Sequence, residues 1–212
     1  MPGKRLSRSF FTRPADELAP RLLGCRLMRR LADGTILGGV IVETEAYLGP
    51  EDRAAHSFGG RRTARTEPMY MLPGTSYVYF TYGMHHCMNV SAMAIGIPHA
   101  VLLRALEPIE GLDRMAELRG LAGKPVRASD LCSGPAKLCQ ALAIDRGLTA
   151  VDRCTSLELW FERGWKLSDA GIGVSARVGI GYAGAWVDKP LRWFVLGNSC
   201  VSHGPRAHKF GG

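Results

Sequence analysis

From Thr35 to Tyr47 the chain is apolar or glycine at almost every position until Glu43, Thr44, Glu45 and Tyr47 interrupt it. Alternate side chains of a strand share a face, so Ile41, Glu43, Glu45 and Tyr47 fall on one side and Val40, Val42, Thr44 and Ala46 on the other. Residues 25–31 read as the partner strand, joined through Asp33-Gly34, a two-residue hairpin signal. Before them, Leu18, Leu22 and Leu23 predict a helix over 14–23 that Pro20 must start or kink. A Gly- and Arg-rich loop covers 49–73. It leads into a second hairpin, 76–82 and 87–93, turning at Gly83.

Residues 100–106 form a further apolar strand broken only by Arg104. A helix is predicted over 109–119, stopping at Gly120 as a C′ residue. Another begins at Ser133 as N-cap, with Pro135 in its first turn and Leu138 and Leu142 on the buried stripe. Residues 157–163, 173–182 and 191–197 alternate like strands. Hairpins dominate and no βαβ rhythm appears, which predicts an α+β fold: one domain over 1–212, a mainly antiparallel sheet and a few packed helices. Residues 1–9 are expected to form a flexible basic tail.

Composition narrows the partners. The 212 residues are 46% hydrophobic and 22% charged, an ordinary globular balance. The 27 Lys+Arg against 19 Asp+Glu leave a net charge of +8, which suits a polyanion such as nucleic acid. The six cysteines contain no CxxC pair and sit mostly in apolar runs, as reduced thiols of a cytosolic protein do. No run of eighteen apolar residues and no signal-peptide core occur, so a soluble protein without membrane contact is expected. His85 and His86 are adjacent and face opposite ways, and no HExxH, GxGxxG or P-loop is present. No metal and no cofactor are therefore expected.

Several residues carry candidate chemistry. Glu45 reads either as a general base or as a structural carboxylate paired with an arginine. Arg104, inside an apolar strand, demands an anion, and Glu43 or Glu45 would serve. Glu43 and Glu45 lie at i and i+2 of one strand, a spacing that also fits the paired carboxylates of a sugar hydrolase. Tyr77 and Tyr79 share a face, either to stack a planar ligand or to pack across strands. Tyr82 and Met84 stand at a hairpin tip, where an exposed aromatic suits a wedge pushed between base pairs. Ser133 to Lys137 reads as a phosphate cradle or a routine cap.

Taken together, residues 41–57 (IVETEAYLGPEDRAAHS), 69–90 (MYMLPGTSYVYFTYGMHHCMNV), 101–111 (VLLRALEPIEG) and 131–143 (LCSGPAKLCQALA) resemble the alkyladenine (3-methyladenine) DNA glycosylase family. The resemblance implies a curved sheet with a protruding β-hairpin and a monomer acting on damaged double-stranded DNA. It implies base-excision repair, in which an alkylated, deaminated or etheno purine is flipped out of the duplex and its N-glycosidic bond is hydrolysed. By motif, Glu45 is similar to the general base that activates a water, with Arg104 and the Val178 carbonyl helping to hold that water. Tyr47, His56 and Tyr79 match the residues that enclose the flipped base, and Asn89 matches a residue that screens purines. Tyr82 matches the wedge, which leaves Glu43 outside the chemistry. No lysine occupies the pocket strands, so a monofunctional enzyme leaving an abasic site is expected. A cationic base such as 3-methyladenine would be drawn to the aromatic faces. His85, His86 and a longer 91–99 segment depart from the mammalian pattern. The short amino terminus suggests a bacterial-type, nucleoid-associated protein of the cytoplasm. A non-catalytic sensor of distorted duplex and a carbohydrate hydrolase using Glu43 and Glu45 are the remaining alternatives.

Overall fold

The computed structural model describes residues 3–202 and the short strand His208–Lys209. In chain order its elements are α1 (Arg8–Phe11), α2 (Ala15–Leu22), β1 (Arg26–Arg30), β2 (Ile36–Tyr47), β3 (Ser76–Thr81), β4 (His85–Ala92) and β5 (His99–Glu110). There follow α3 (Leu112–Leu118), α4 (Ala128–Cys132), α5 (Pro135–Ala141), β6 (Leu159–Glu162), β7 (Ile172–Ser175), β8 (Arg192–Val195) and β9 (His208–Lys209). The strands form one curled antiparallel sheet in the order β3-β4-β5-β2-β8-β7-β9, with β1 on β2 and β6 on β1. This is the α+β arrangement expected from the alternation of the chain.

Strand β2 organises the sheet. Along one edge it pairs with β5, while its other edge is shared: residues 36–40 pair with β1 and residues 43–45 with β8. Residues 37–46 are all buried, as a strand flanked on both edges and covered on its faces must be. The Gly38-Gly39 pair makes this packing possible, since a Cβ on Gly39 would fall 2.8 Å from the Leu106 Cβ. Below the sheet, α2 buries Leu18 and Leu22, and Thr44 Oγ1 donates to the Ala19 carbonyl at 2.9 Å. Pro20 lies inside α2, two residues before its end, and does not start the helix. Leu138 and Leu142 at α5 are fully buried, as the predicted stripe requires.

One irregularity bears directly on function. The β2–β5 register steps between Ile41 and Glu43, and again between Glu43 and Thr44. Because Glu43 faces Ala105 and Thr44 faces Leu103, Arg104 is an extra, unpaired residue in β5. A bulge of this kind bends the strand and re-aims its side chain.

Four expectations are corrected. Residues 3–9 are not a flexible tail: Leu6 is 3% exposed, its amide donates to the Phe161 carbonyl at 2.9 Å, and α1 already begins at Arg8. Residues 1–2 lie outside the described residues. The helix predicted over 109–119 starts only at Leu112, because β5 runs on to Glu110 and turns at Gly111 with φ +75°. A Cβ at Gly111 would fall 2.4 Å from Leu37 Cδ2, so no other residue fits there. Ser133 is not the N-cap of α5: Pro135 takes the first helical position, which makes Gly134 the cap and leaves Ser133 closing α4. The strand expected over 173–182 ends at Ser175, where the chain leaves the sheet.

Candidate active site

Tyr47 ends β2, and the loop that follows brings His56 over the sheet. With Tyr77 and Tyr79 of β3, Asn89 of β4, Arg104 of β5 and Val178 after β7, they line a cavity of about 230 Å³. Tyr82 stands at its rim. Eight predicted site residues therefore meet at one place. Met84 does not line the cavity; it projects from the hairpin tip, 70% exposed.

Glu45 lies directly beneath this wall and has no exposed surface. Its Oε1 accepts the Val178 amide at 2.7 Å and lies 3.2 Å from Arg104 Nη1, while its Oε2 accepts the Tyr47 hydroxyl at 3.0 Å. Val178 thus touches the acid through its N–H. A carboxylate has about four acceptor positions, so two hydrogen bonds and the Arg104 ion pair leave acceptor capacity on Glu45. The arrangement compensates the several kcal/mol that a lone buried charge would cost.

Glu43 is consumed by other partners. Arg104 Nε and Arg192 Nε donate to its Oε1 at 2.6 and 2.7 Å, and the Ser202 amide donates to its Oε2 at 2.7 Å. Burial opposes its ionisation, but the two arginines outweigh burial and hold its pKa below the usual carboxylate value. With the Ser202 hydroxyl as a fourth donor, at 2.8 Å to Oε1, Glu43 has no acceptor position left for substrate or water, and a two-carboxylate sugar hydrolase loses its second acid. Arg104, bridging Glu43 and Glu45, is opposed by burial yet raised by both acids, and so stays charged.

The tyrosine wall is held from behind. Tyr77 is buried, its hydroxyl 2.7 Å from His56 Nδ1, and Asn89 Nδ2 donates to the Tyr77 carbonyl at 3.3 Å. His56 meets Tyr79 edge-on at 4.6 Å. Burial first, then the charges of Arg65 and Arg61, depress the His56 pKa to about 4, so the ring is neutral. Burial and then Glu45 push the Tyr47 phenol well above its ordinary value.

At the hairpin tip Tyr82 and Gly83 both have positive φ, +52° and +66°, and the Met84 amide donates to the Thr81 carbonyl at 3.2 Å. This is the I′ turn geometry, which favours Asn, Asp or Gly in the first central position. A tyrosine there, 83% exposed, is a strained and solvated aromatic.

Sequence reasoning missed the buried pair Arg177–Asp52. Arg177 Nη1 reaches Asp52 Oδ2 at 2.5 Å and the Ala46 carbonyl at 2.8 Å, and the guanidinium covers the Tyr47 ring at 4.7 Å. The partners lie 125 residues apart, so no local signal joins them. It also missed Arg65 and Tyr182 at the cavity rim.

The site thus sets a carboxylate–arginine pair beneath a tyrosine-walled cavity, beside an exposed aromatic hairpin tip, on a basic α+β domain. Residues 9–199 match the family model described as Methylpurine-DNA glycosylase (MPG), and the chain belongs to that family. The chain is 53% identical to the DNA-3-methyladenine glycosylase of Mus musculus over 205 residues, which is 93% of this chain and 61% of that protein. It is 52% identical to the Homo sapiens protein of that name, over 93% of this chain and 68% of the relative. A putative 3-methyladenine DNA glycosylase of Bacillus cereus (strain G9842) is 42% identical over 92% of this chain and 97% of its own length. The chain thus spans about three fifths of the mouse protein and nearly all of the bacterial one. No helix among the described residues is long and apolar enough to cross a membrane.

Proposed function

We propose that the protein is a monofunctional DNA glycosylase of base-excision repair. It extrudes alkylated, deaminated or etheno purines from duplex DNA, hydrolyses the N-glycosidic bond and leaves an abasic site. The observation that carries this reading is Glu45: a buried acid under the tyrosine-walled cavity, hydrogen-bonded by Tyr47 and Val178 and ion-paired with Arg104, with acceptor capacity left on its oxygens. An extruded base stacks against Tyr47 and Tyr79 beside His56 and Asn89, which brings the C1′ atom of its deoxyribose toward the Glu45–Arg104 floor. The carboxylate takes a proton from the attacking water and offsets the oxocarbenium-like charge on the sugar. Arg104 and the Val178 carbonyl orient that water. Such general-base help is worth about 10²–10⁴-fold. Tyr82 fills the space in the duplex left by the base, as wedge residues do.

The relatives' names support this reading, and so does the +8 net charge, which suits a phosphate backbone. One observation favours a second reading, a non-catalytic sensor of damaged duplex: Glu45 has no exposed surface. The two separate cleanly. Protein is incubated in EDTA with duplexes carrying methylated, deaminated or etheno purines, and freed bases are identified by mass spectrometry. Glycosylase action gives free base and an abasic strand without strand cleavage. Glu45→Gln is expected to lower release at least about 100-fold while retaining lesion binding. Salt-dependent binding with no base release from any duplex would establish the sensor instead. A fully active Glu45→Gln variant would remove the acid from its role.

A further inference from the structure

Two arginines already occupy faces of the tyrosines that wall the cavity. The Arg177 guanidinium lies 4.7 Å from the centre of the Tyr47 ring, and that of Arg65 lies 5.5 Å from the Tyr79 ring. They differ in what neutralises them. Arg177 is fully buried and pairs with Asp52 through both nitrogens, at 2.5 and 2.8 Å. Arg104 pairs with Glu43 and Glu45, and Arg192 with Glu43. Around the cavity floor, three acids (Glu43, Glu45, Asp52) therefore balance three arginines (Arg104, Arg177, Arg192). His56 adds no charge, being held neutral near pH 7.

Of the two arginines that line the cavity itself, Arg104 is paired and Arg65 is not. Arg65 lines the cavity mouth, is exposed, and has no carboxylate within ion-pair distance among the described residues. A cation is attracted to a tyrosine face when that face is free. Here a cationic ligand would share both stacking rings with guanidinium groups and would meet the unneutralised charge of Arg65 on entry. A neutral ring stacks on the same tyrosines without that repulsion.

Resting on the reading of this cavity as a base pocket, we propose that Arg65 is a specificity-determining residue that disfavours positively charged bases. The pocket then discriminates by charge, favouring neutral purines such as hypoxanthine over cationic ones such as 7-methylguanine relative to what the tyrosines alone would select. The expectation that aromatic faces draw in cationic bases is thus offset at the cavity mouth by this one side chain.

The test compares the full chain with Arg65→Gln, which keeps a planar polar side chain without charge, and Arg65→Lys, which keeps the charge. Single-turnover release is measured at saturating protein from duplexes carrying one 7-methylguanine or one hypoxanthine. The cationic-to-neutral rate ratio is expected to rise about tenfold in Arg65→Gln, the effect of about 1.4 kcal/mol of lost repulsion, and to stay within about threefold of the original in Arg65→Lys. Raising salt from about 0.05 to about 0.3 M should raise the ratio for the unaltered protein and leave Arg65→Gln flat, because screening removes what the substitution has already removed. A general loss of DNA affinity would lower both rates together and leave the ratio unmoved. An unchanged ratio in Arg65→Gln overturns the proposal, as does an equal rise in Arg65→Lys, which would make the effect one of shape. If the unaltered protein frees neither base, the base-pocket reading itself falls and this proposal with it.

Discussion

The Tyr47 hydroxyl donates to Glu45 Oε2 across 3.0 Å, so the residue that walls the cavity also caps the acid beneath it. Ring and hydroxyl have separable duties. Tyr47→Phe keeps the stacking face and removes one donor from a buried carboxylate, at a cost of about 1–3 kcal/mol of stability. Base release should persist within about tenfold, since the hydroxyl occupies an acceptor position that a water's proton can take instead. Tyr47→Ala removes the stacking surface and should lose lesion binding. Thermal melts with single-turnover assays check this; equal kinetic losses in the two variants would show that the hydroxyl, not the ring, is what matters.

The Arg177–Asp52 pair should be one of the molecule's most sensitive points. Both side chains are fully buried, and Asp52 also accepts the Leu48 and Ala54 amides at 3.0 Å each, fixing the turn after Tyr47. Asp52→Ala leaves a buried guanidinium without an anion, which typically costs about 3–5 kcal/mol. For a domain of this size that corresponds to a fall in Tm of about 6–20 °C. Because the two groups share one interaction, Asp52→Ala combined with Arg177→Met should cost less than the sum of the single changes. Additive losses in a melting series would refute the coupling.

Acid should weaken the fold in two stages. His56 has a folded pKa of about 4 against an ordinary 6.5, so its neutral form contributes stability that is complete above pH 6.5 and lost as pH falls toward 4. Glu43 has its pKa lowered from 4.5, so its contribution is complete above that value and is lost as pH falls through the lower one. Urea unfolding at a series of pH values reads both. His56→Gln should flatten the first limb. Glu43→Gln should flatten the second while destabilising the protein at pH 7, where Arg104 and Arg192 lose their shared partner. An unchanged first limb in His56→Gln would assign that loss to another group.

What was legible in the sequence follows from range. The strand 35–47, the Asp33-Gly34 hairpin and the Tyr82-Gly83 turn are written in contiguous residues, and the structure carries them as β1–β2 and β3–β4. Arg104 announced a buried anion because an arginine among Val101, Leu102 and Leu103 has no other comfortable environment, and it reaches both candidate acids. Alternation could not show that Arg104 is a bulge residue, since a bulge depends on the partner strand's register. Nor could it join Arg177 to Asp52, or seat Leu6 beside Phe161; these contacts exist only once the sheet has curled. The unneutralised charge of Arg65 was equally hidden, because it emerges only once Arg104, Arg177 and Arg192 at the cavity floor are seen to be paired.

Tyr82 should trade stability for grip. It occupies a left-handed position at φ +52° that glycine adopts without a Cβ penalty, and its ring is almost wholly exposed. Tyr82→Gly should therefore leave the free protein as stable or raise it by up to about 1 kcal/mol, an effect visible in a thermal melt. The same change removes the aromatic that stands at the rim of the cavity, so capture of an extruded base should weaken about tenfold or more, since a stacked ring contributes about 1–3 kcal/mol per base. Tyr82→Phe keeps ring and strain together and should preserve both properties. The decisive comparison is between melting temperature and affinity for a lesion-bearing duplex across the three proteins. If Tyr82→Gly bound the duplex as well as the original, the strained tyrosine would have no role in holding DNA, and its unfavourable backbone would be left without a functional reason.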